Sequence, residues 1–127
     1  MSLFLIIIFC LLLEHVPRIL LGDFIEFSFN YGVSFGLFGG SPVFSMILAL
    51  LSCIFLFCLM TFGKLDKISR VGLAIMLGGA LSNLLERIFL GYVIDWIPFP
   101  FGLMNLNFNI ADIEISLGGL IAFLGLL

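Results

Sequence analysis

Charge is what this chain has least of. Only 10% of its 127 residues are Asp, Glu, Lys or Arg, whereas 63% are hydrophobic. A soluble domain carries about 25% charged residues. With a mean hydropathy of +1.36, the chain is read as an integral membrane protein of one domain. Basic residues are scarcer than acidic ones, five against eight, and the net charge of −3 gives no footing for nucleic acid. Cysteine is also sparse. Cys10, Cys53 and Cys58 are scattered in apolar runs at no metal-ligand or disulfide spacing, so all three are expected to be small buried hydrophobes. No metal or other cofactor is expected. The single histidine, His15, has no Ser, Cys or second His at a recognisable spacing and is read as structural. The first apolar run lacks the basic flank and small-residue cleavage site of a secretory leader, so it is read as a retained helix.

Apolar length is what the chain has in abundance. A bilayer-spanning helix needs about 20 apolar residues. The segments 3–21, 43–62, 71–90 and 110–127 meet or approach that length, and 43–62 contains no charge at all. The predicted fold is an all-α membrane protein with four transmembrane helices and a small extracytoplasmic β-sheet or cradle. Lys64, Lys67 and Arg70 crowd the short connection between the second and third spans, which the positive-inside rule places in the cytoplasm. Both termini are then cytoplasmic. Glu14, Arg18, Asn30, Asn83, Arg87, Asp95, Asn109 and Asp112 fall in one extracytoplasmic layer.

The segments between spans carry their own pattern. From Ile25 to Phe35, apolar side chains occupy odd positions, with Glu26, Ser28, Asn30, Gly32 and Ser34 between them. Such alternation predicts a half-buried strand, within a surface region of about 23–38 whose aromatics lie among headgroups. Leu103–Asn109 alternates likewise, inside a loop of about 91–109. Gly39-Gly40-Ser41-Pro42 ends the first strand region and introduces the second helix.

Asp95 lies near the start of that second loop and Asp112 just beyond its end. Antiparallel helices joined by a short connection would bring them together. Two nearby carboxylates cannot both ionise comfortably, so one keeps a proton. Such a pair can deprotonate water with one member and polarise a scissile carbonyl with the other. Alternatively, each Asp separately caps a helix or marks the interface, and Asp112 would suit a helix N-terminus in any case. Asn83 and Arg87 share a helical face with Gly79 and could form a polar floor; Arg87 could instead reach the headgroups. Glu86 lies on a different face, free to pair with a neighbouring helix. Glu14 and Arg18, one turn apart, are expected to pair with each other.

Four motifs, in order along the chain, resemble a known family. The run Gly78-Gly79-Ala80-Leu81-Ser82-Asn83-Leu84-Leu85-Glu86-Arg87 with Gly91-Tyr92-Val93-Ile94-Asp95-Trp96 is similar to the signature of bacterial lipoprotein signal peptidase, or signal peptidase II. So is Phe108-Asn109-Ile110-Ala111-Asp112-Ile113-Glu114-Ile115-Ser116-Leu117-Gly118. Upstream, Asn30-Tyr31-Gly32-Val33-Ser34-Phe35 resembles the family's Asn-x-Gly-x-x-Phe element, and Glu14-His15-Val16-Pro17-Arg18 its Asp-Gln-x-x-Lys motif. The resemblance implies a multi-pass aspartic endopeptidase of the bacterial inner membrane with its site near the extracytoplasmic face. It would remove the signal peptide from prolipoproteins, cutting before a diacylglyceryl-modified cysteine. By the same resemblance Asp95 and Asp112 match the catalytic pair, while Asn30, Asn83, Arg87 and Asn109 match substrate-binding or supporting positions. The implied partners are the lipid-modified prolipoprotein and membrane lipids, and a monomer is expected.

The chain departs from the family pattern at Glu14 (usually Asp), Arg18 (Lys), Ser82 (Gly), Glu86 (Asp) and Trp96 (Phe), mostly preserving charge or shape. Glu114 adds a carboxylate near Asp112, but two residues along a helix it should point away. Two alternatives are a small proton- or solute-coupled transporter subunit, whose intramembrane acids would carry protons, and an inactive membrane assembly partner. Clustering of the acids at one face argues against a proton path.

Overall fold

The computed structural model describes residues 2–25, 27–31, 41–98 and 107–127. Four α-helices account for most of it: α1 (Leu3–Leu21), α2 (Pro42–Phe62), α3 (Lys67–Leu90) and α4 (Ile110–Leu126). Between them lie a 3₁₀ turn (Gly22–Phe24) and four short strands, β1 (Ser28–Asn30), β2 (Val93–Asp95), β3 (Ile97–Pro98) and β4 (Asn107–Phe108).

Local chemistry sets the helix ends. The Ser2 hydroxyl accepts from Leu5 N–H and opens α1. Pro42 stands at the start of α2, where its missing N–H costs nothing. Arg70 closes the other end of α2, its guanidinium donating to the carbonyls of Met60 (2.9 Å), Gly63 (3.0 Å) and Leu65 (3.3 Å). Helix α3 begins at Lys67, earlier than the apolar run predicts. Asp66 caps it by accepting from Ile68 N–H (3.2 Å) and Ser69 N–H (3.0 Å), so Lys67 and Arg70 are helical. It ends at Gly91, whose φ of 83° is a conformation glycine adopts without strain.

Helix α3 is the centre of the bundle. Thirteen of its residues are buried, against three in α1 and four each in α2 and α4. It packs against all three other helices. Small residues let α4 approach closely. A Cβ on Gly118 would lie 2.5 Å from Met76 N, and Ser69 Oγ donates to Ala122 O across the seam at 2.9 Å. The apolar core runs from Ile6 and Cys10 through Leu73, Ala74 and Leu77 to Cys53 and Leu56. Cys10 and Cys53 are buried as expected, but Cys58 is exposed, because it sits on the outward face of α2.

Segments Leu3–Phe24, Pro42–Phe62 and Lys67–Leu90 are long and apolar enough to cross a bilayer. Helix α4, with 17 residues, is about 25 Å long and shorter than the rest.

The strands form two antiparallel ladders. β1 pairs with β2 in the register Ser28↔Asp95, Phe29↔Ile94 and Asn30↔Val93, and β3 pairs with β4 as Ile97↔Phe108 and Pro98↔Asn107. Polar side chains face inward: Asn30 is buried while Phe29 and Tyr31 are exposed. Tyr92 packs against both rings, at centroid distances of 4.7 and 5.5 Å. The strand predicted over 25–35 is thus observed at Ser28–Asn30, and that predicted over 103–109 at Asn107–Phe108. The remainder of those predictions, at 26, 32–38 and 103–106, lies outside the described residues, as do Gly39 and Gly40.

Candidate active site

Asp95 ends β2 and is buried, 4% exposed. Pairing with β1 sets Ser28 opposite it. Ser28 Oγ donates to the Asp95 carbonyl (3.1 Å) and accepts from Asn107 Nδ2 (2.9 Å), joining the two ladders. From the same strand, the Asn30 side chain donates to the Asp95 carboxylate. Asp95 Oδ1 is buried and without a hydrogen bond among the described residues.

Asp112 stands in the first turn of α4, held by a reciprocal cap. Its Oδ2 accepts from Asn109 N–H at 3.2 Å, and its own N–H donates to Asn109 Oδ1 at 2.9 Å. The fully buried Asn109 also donates through Nδ2 to Asn83 Oδ1 at 2.9 Å. Arg87 Nη1 donates to the Asn83 carbonyl at 3.3 Å, and its guanidinium interacts electrostatically with Asp112 and Asp95. Asn30, Asn83, Arg87, Asp95, Asn109 and Asp112 therefore converge from β1, α3, β2 and α4.

The two acids influence each other. Burial pushes the Asp95 carboxyl up to about 7, and the Asp112 charge adds to that rise. The Asn30 hydrogen bond and the Arg87 charge oppose it, and Glu86 reinforces it. Beneath the site, a cavity of about 210 Å³ is lined by apolar residues of α2, α3 and α4, including Leu48, Leu56, Met76 and Ile115, with Asn83 and Arg87 also on its wall.

A second polar cluster lies on the α1 side. Arg18 Nη2 is 2.8 Å from Glu86 Oε1, whereas its Nε reaches Glu14 only at 4.0 Å. The expected Glu14–Arg18 pair is thus the weaker contact, because the fully buried Glu14 is occupied elsewhere. Glu14 Oε1 accepts from Trp96 Nε1 at 3.1 Å and Oε2 from Ala111 N–H at 3.0 Å. Glu86 Oε2 accepts from Ile94 N–H at 2.7 Å. His15 Nδ1 lies 3.0 Å from Arg18 Nη2 and 3.6 Å from Glu86. Glu114 is buried, packed over Gly79 and within electrostatic reach of Glu14 and Cys10. Sequence reasoning left the contacts of Glu14 and Trp96 unread. The available signal was the cost of a carboxylate in an apolar helix, which demands partners.

Comparisons with known proteins agree on one family. The family model described as Signal peptidase (SPase) II matches residues 5–127. The chain is 36% identical over 92 residues to a lipoprotein signal peptidase of Fusobacterium nucleatum, covering 70% of this chain and 54% of that protein. It is 38% identical over 95 residues to one from Acinetobacter baumannii, with the same coverage. A third, from Clostridium novyi, is 33% identical over 132 residues, covering 90% of this chain and 89% of that protein. The chain thus spans about half the length of the Fusobacterium and Acinetobacter relatives. Among solved structures, two bacterial membrane enzymes superpose with TM-scores of 0.81 and 0.79 at 23% and 24% identity. Each alignment covers 98% of this chain, and 86% and 92% respectively of the solved one; this likeness is one of fold.

Proposed function

Because this chain belongs to the signal peptidase II family, we propose that it is an aspartic endopeptidase that cleaves the signal peptide from diacylglyceryl-modified prolipoproteins, just before the lipidated cysteine. The observation that carries this reading is the coupling of two buried acids, with Asp95 pushed up to about 7 by burial and by Asp112. A pair sharing one proton near neutrality is what metal-free peptide hydrolysis by carboxylates requires.

Asp112 is assigned as the base, since negative charge is favoured at a helix N-terminus. It takes a proton from water, whose oxygen attacks the scissile carbonyl carbon. Protonated Asp95 donates a hydrogen bond to the carbonyl oxygen as charge builds there. Collapse of the tetrahedral species breaks the C–N bond as a proton passes to the leaving nitrogen. Asn83 and Asn109 hold Asp112 in place, Asn30 holds Asp95, and Arg87 offers charge to both acids or to the substrate backbone.

The proposal extends to topology: one membrane domain of four spans, inserted in the bacterial inner membrane, with cytoplasmic termini and the site at the outer face. Support comes from α3. Arg70 lies in its first turn and Arg87 in its last, about 25 Å apart along the axis, a separation that would set the basic end and the acid pair at opposite faces of a bilayer. The acyl chains of the substrate would stay in lipid while the peptide enters at the boundary. The scheme invokes no second copy of the chain, and a monomer is proposed. A proton-carrying transporter draws no support, because α2 contains no ionisable residue other than cysteine.

The test is cleavage of a lipidated prolipoprotein peptide by the purified chain in detergent. Asp95→Asn and Asp112→Asn should each abolish cleavage in a protein that still folds. Full activity in either variant removes the reading.

A further inference from the structure

Four side chains that the hydrolytic scheme leaves idle meet at one place. Glu14 and Arg18 come from α1, Glu86 from α3, and Trp96 from the junction of β2 and β3. They are four of the five positions at which the sequence departs from the family pattern.

Their hydrogen bonds end beside the acids. Glu86 takes the N–H of Ile94 and Glu14 takes the indole N–H of Trp96, so both chain neighbours of Asp95 are held. The second oxygen of Glu14 takes the N–H of Ala111, the residue before Asp112. Arg18 sits between the two carboxylates, 2.8 Å from Glu86 and 4.0 Å from Glu14. Burying a carboxylate is costly unless charge and hydrogen bonds compensate. Apart from Arg18, the compensating donors here belong to the segments that carry Asp95 and Asp112. Both Glu14 oxygens belong to one rigid group, so the separation of Trp96 from Ala111 is set by a single side chain.

We infer that Glu14, braced by Arg18 and Glu86, is a positioning residue that sets the spacing between Asp95 and Asp112; this rests on the hydrolytic reading of that pair. The departures complete one another. An Asp at position 14 is a methylene shorter, and a Phe at position 96 has no donor, so the Glu14–Trp96 bond needs both replacements. Coupled residues give non-additive effects, so exchanging Glu14 and Trp96 together should cost less than the two single exchanges combined.

The chain has one tryptophan, so its indole N–H resonance reports the bond directly. In Glu14→Gln the amide presents N–H to one of two N–H donors, and one bond must break. Whichever bond is lost, the folded variant should show a kcat for the lipidated peptide lowered by about 10- to 100-fold and a KM changed by less than about twofold; a shifted indole resonance identifies the Trp96 bond as the one broken. Trp96→Phe and Glu14→Asp should each lower kcat, and the double variant should lose less than the product of the two. An unchanged kcat in folded Glu14→Gln overturns the inference, leaving the cluster a role in folding alone. Multiplicative losses in the double variant overturn it too. If Glu14→Gln fails to fold, Trp96→Phe decides, and wild-type kcat in that variant overturns the inference. Should the wild-type protein itself fail to cleave, the hydrolytic reading falls instead. The infrared carboxyl bands of ¹³C-labelled aspartate then decide: they should move in Glu14→Gln, and unchanged bands overturn the positioning role.

Discussion

Asn83 Oδ1 accepts a 2.9 Å hydrogen bond from Asn109 Nδ2, tying the site end of α3 to the cap of α4. Both amides are buried, and Asn109 simultaneously holds Asp112 through its backbone N–H and its side-chain oxygen. The position of Asp112 thus depends on a residue of another helix. Asn83→Ala strands the Asn109 amide, which should cost about 1–3 kcal/mol of stability and lower kcat. Thermal melting in detergent and cleavage assays check this; a neutral effect on both would show that the bond does not hold the cap.

Stability should fall as pH rises through the range that Asp95 titrates. Its folded pKa of about 7 lies above the ordinary 3.8. The folded protein therefore keeps a proton that the unfolded chain has released. That contribution is fully present below about pH 4 and lost as pH approaches 7. Asp95→Asn should flatten the melting temperature across this window. An identical slope in the variant would place the buried proton elsewhere.

The same group should shape the activity profile. If Asp95 must be protonated, kcat/KM, which follows the substrate-free enzyme, declines as pH rises past about 7. The Glu86 charge contributes to the elevated Asp95 value, so Glu86→Gln should move the basic limb to lower pH. A limb that stays put or moves upward would contradict the assignment. Apparent values in such a profile belong to the coupled pair.

Gly79 should tolerate no side chain. A Cβ there would lie 2.6 Å from the Ala111 carbonyl and 3.0 Å from Glu114 Cβ. Gly79→Ala should push the start of α4 away from α3, cost about 1–3 kcal/mol, and reduce cleavage. Gly119→Ala is the control: its Cβ would meet only Met76, at 3.8 Å or more, so a change within about 0.5 kcal/mol is expected. Equal melting temperatures for the two variants would contradict this packing.

Much of the scaffold was legible from run lengths and polar punctuation. The predicted 3–21 matches α1 at both ends, and the predictions for α2 and α4 differ by one residue each. The larger miss, the start of α3, came from weighing hydropathy over the Asp66-Lys67-Ile68-Ser69 cap. The candidate pair was legible as well, since carboxylates beside apolar spans are few. Less so was the cluster around Glu14, because an i,i+4 rule sees only partners within its own helix. Glu114, expected to point away from Asp112, is buried with its Cβ packed against Gly79 of α3.

What the linear chain determined alone was therefore local: where apolar stretches are long enough to form buried or lipid-facing helices, where caps interrupt them, and which few ionisable groups remain. Only the tertiary structure decided which of those groups meet. Bonds such as Glu14 to Ala111 and Asn83 to Asn109 join distant parts of the sequence. They arise because glycine seams let α4 close on α3, and because buried carboxylates and amides bond to whatever donors that packing delivers.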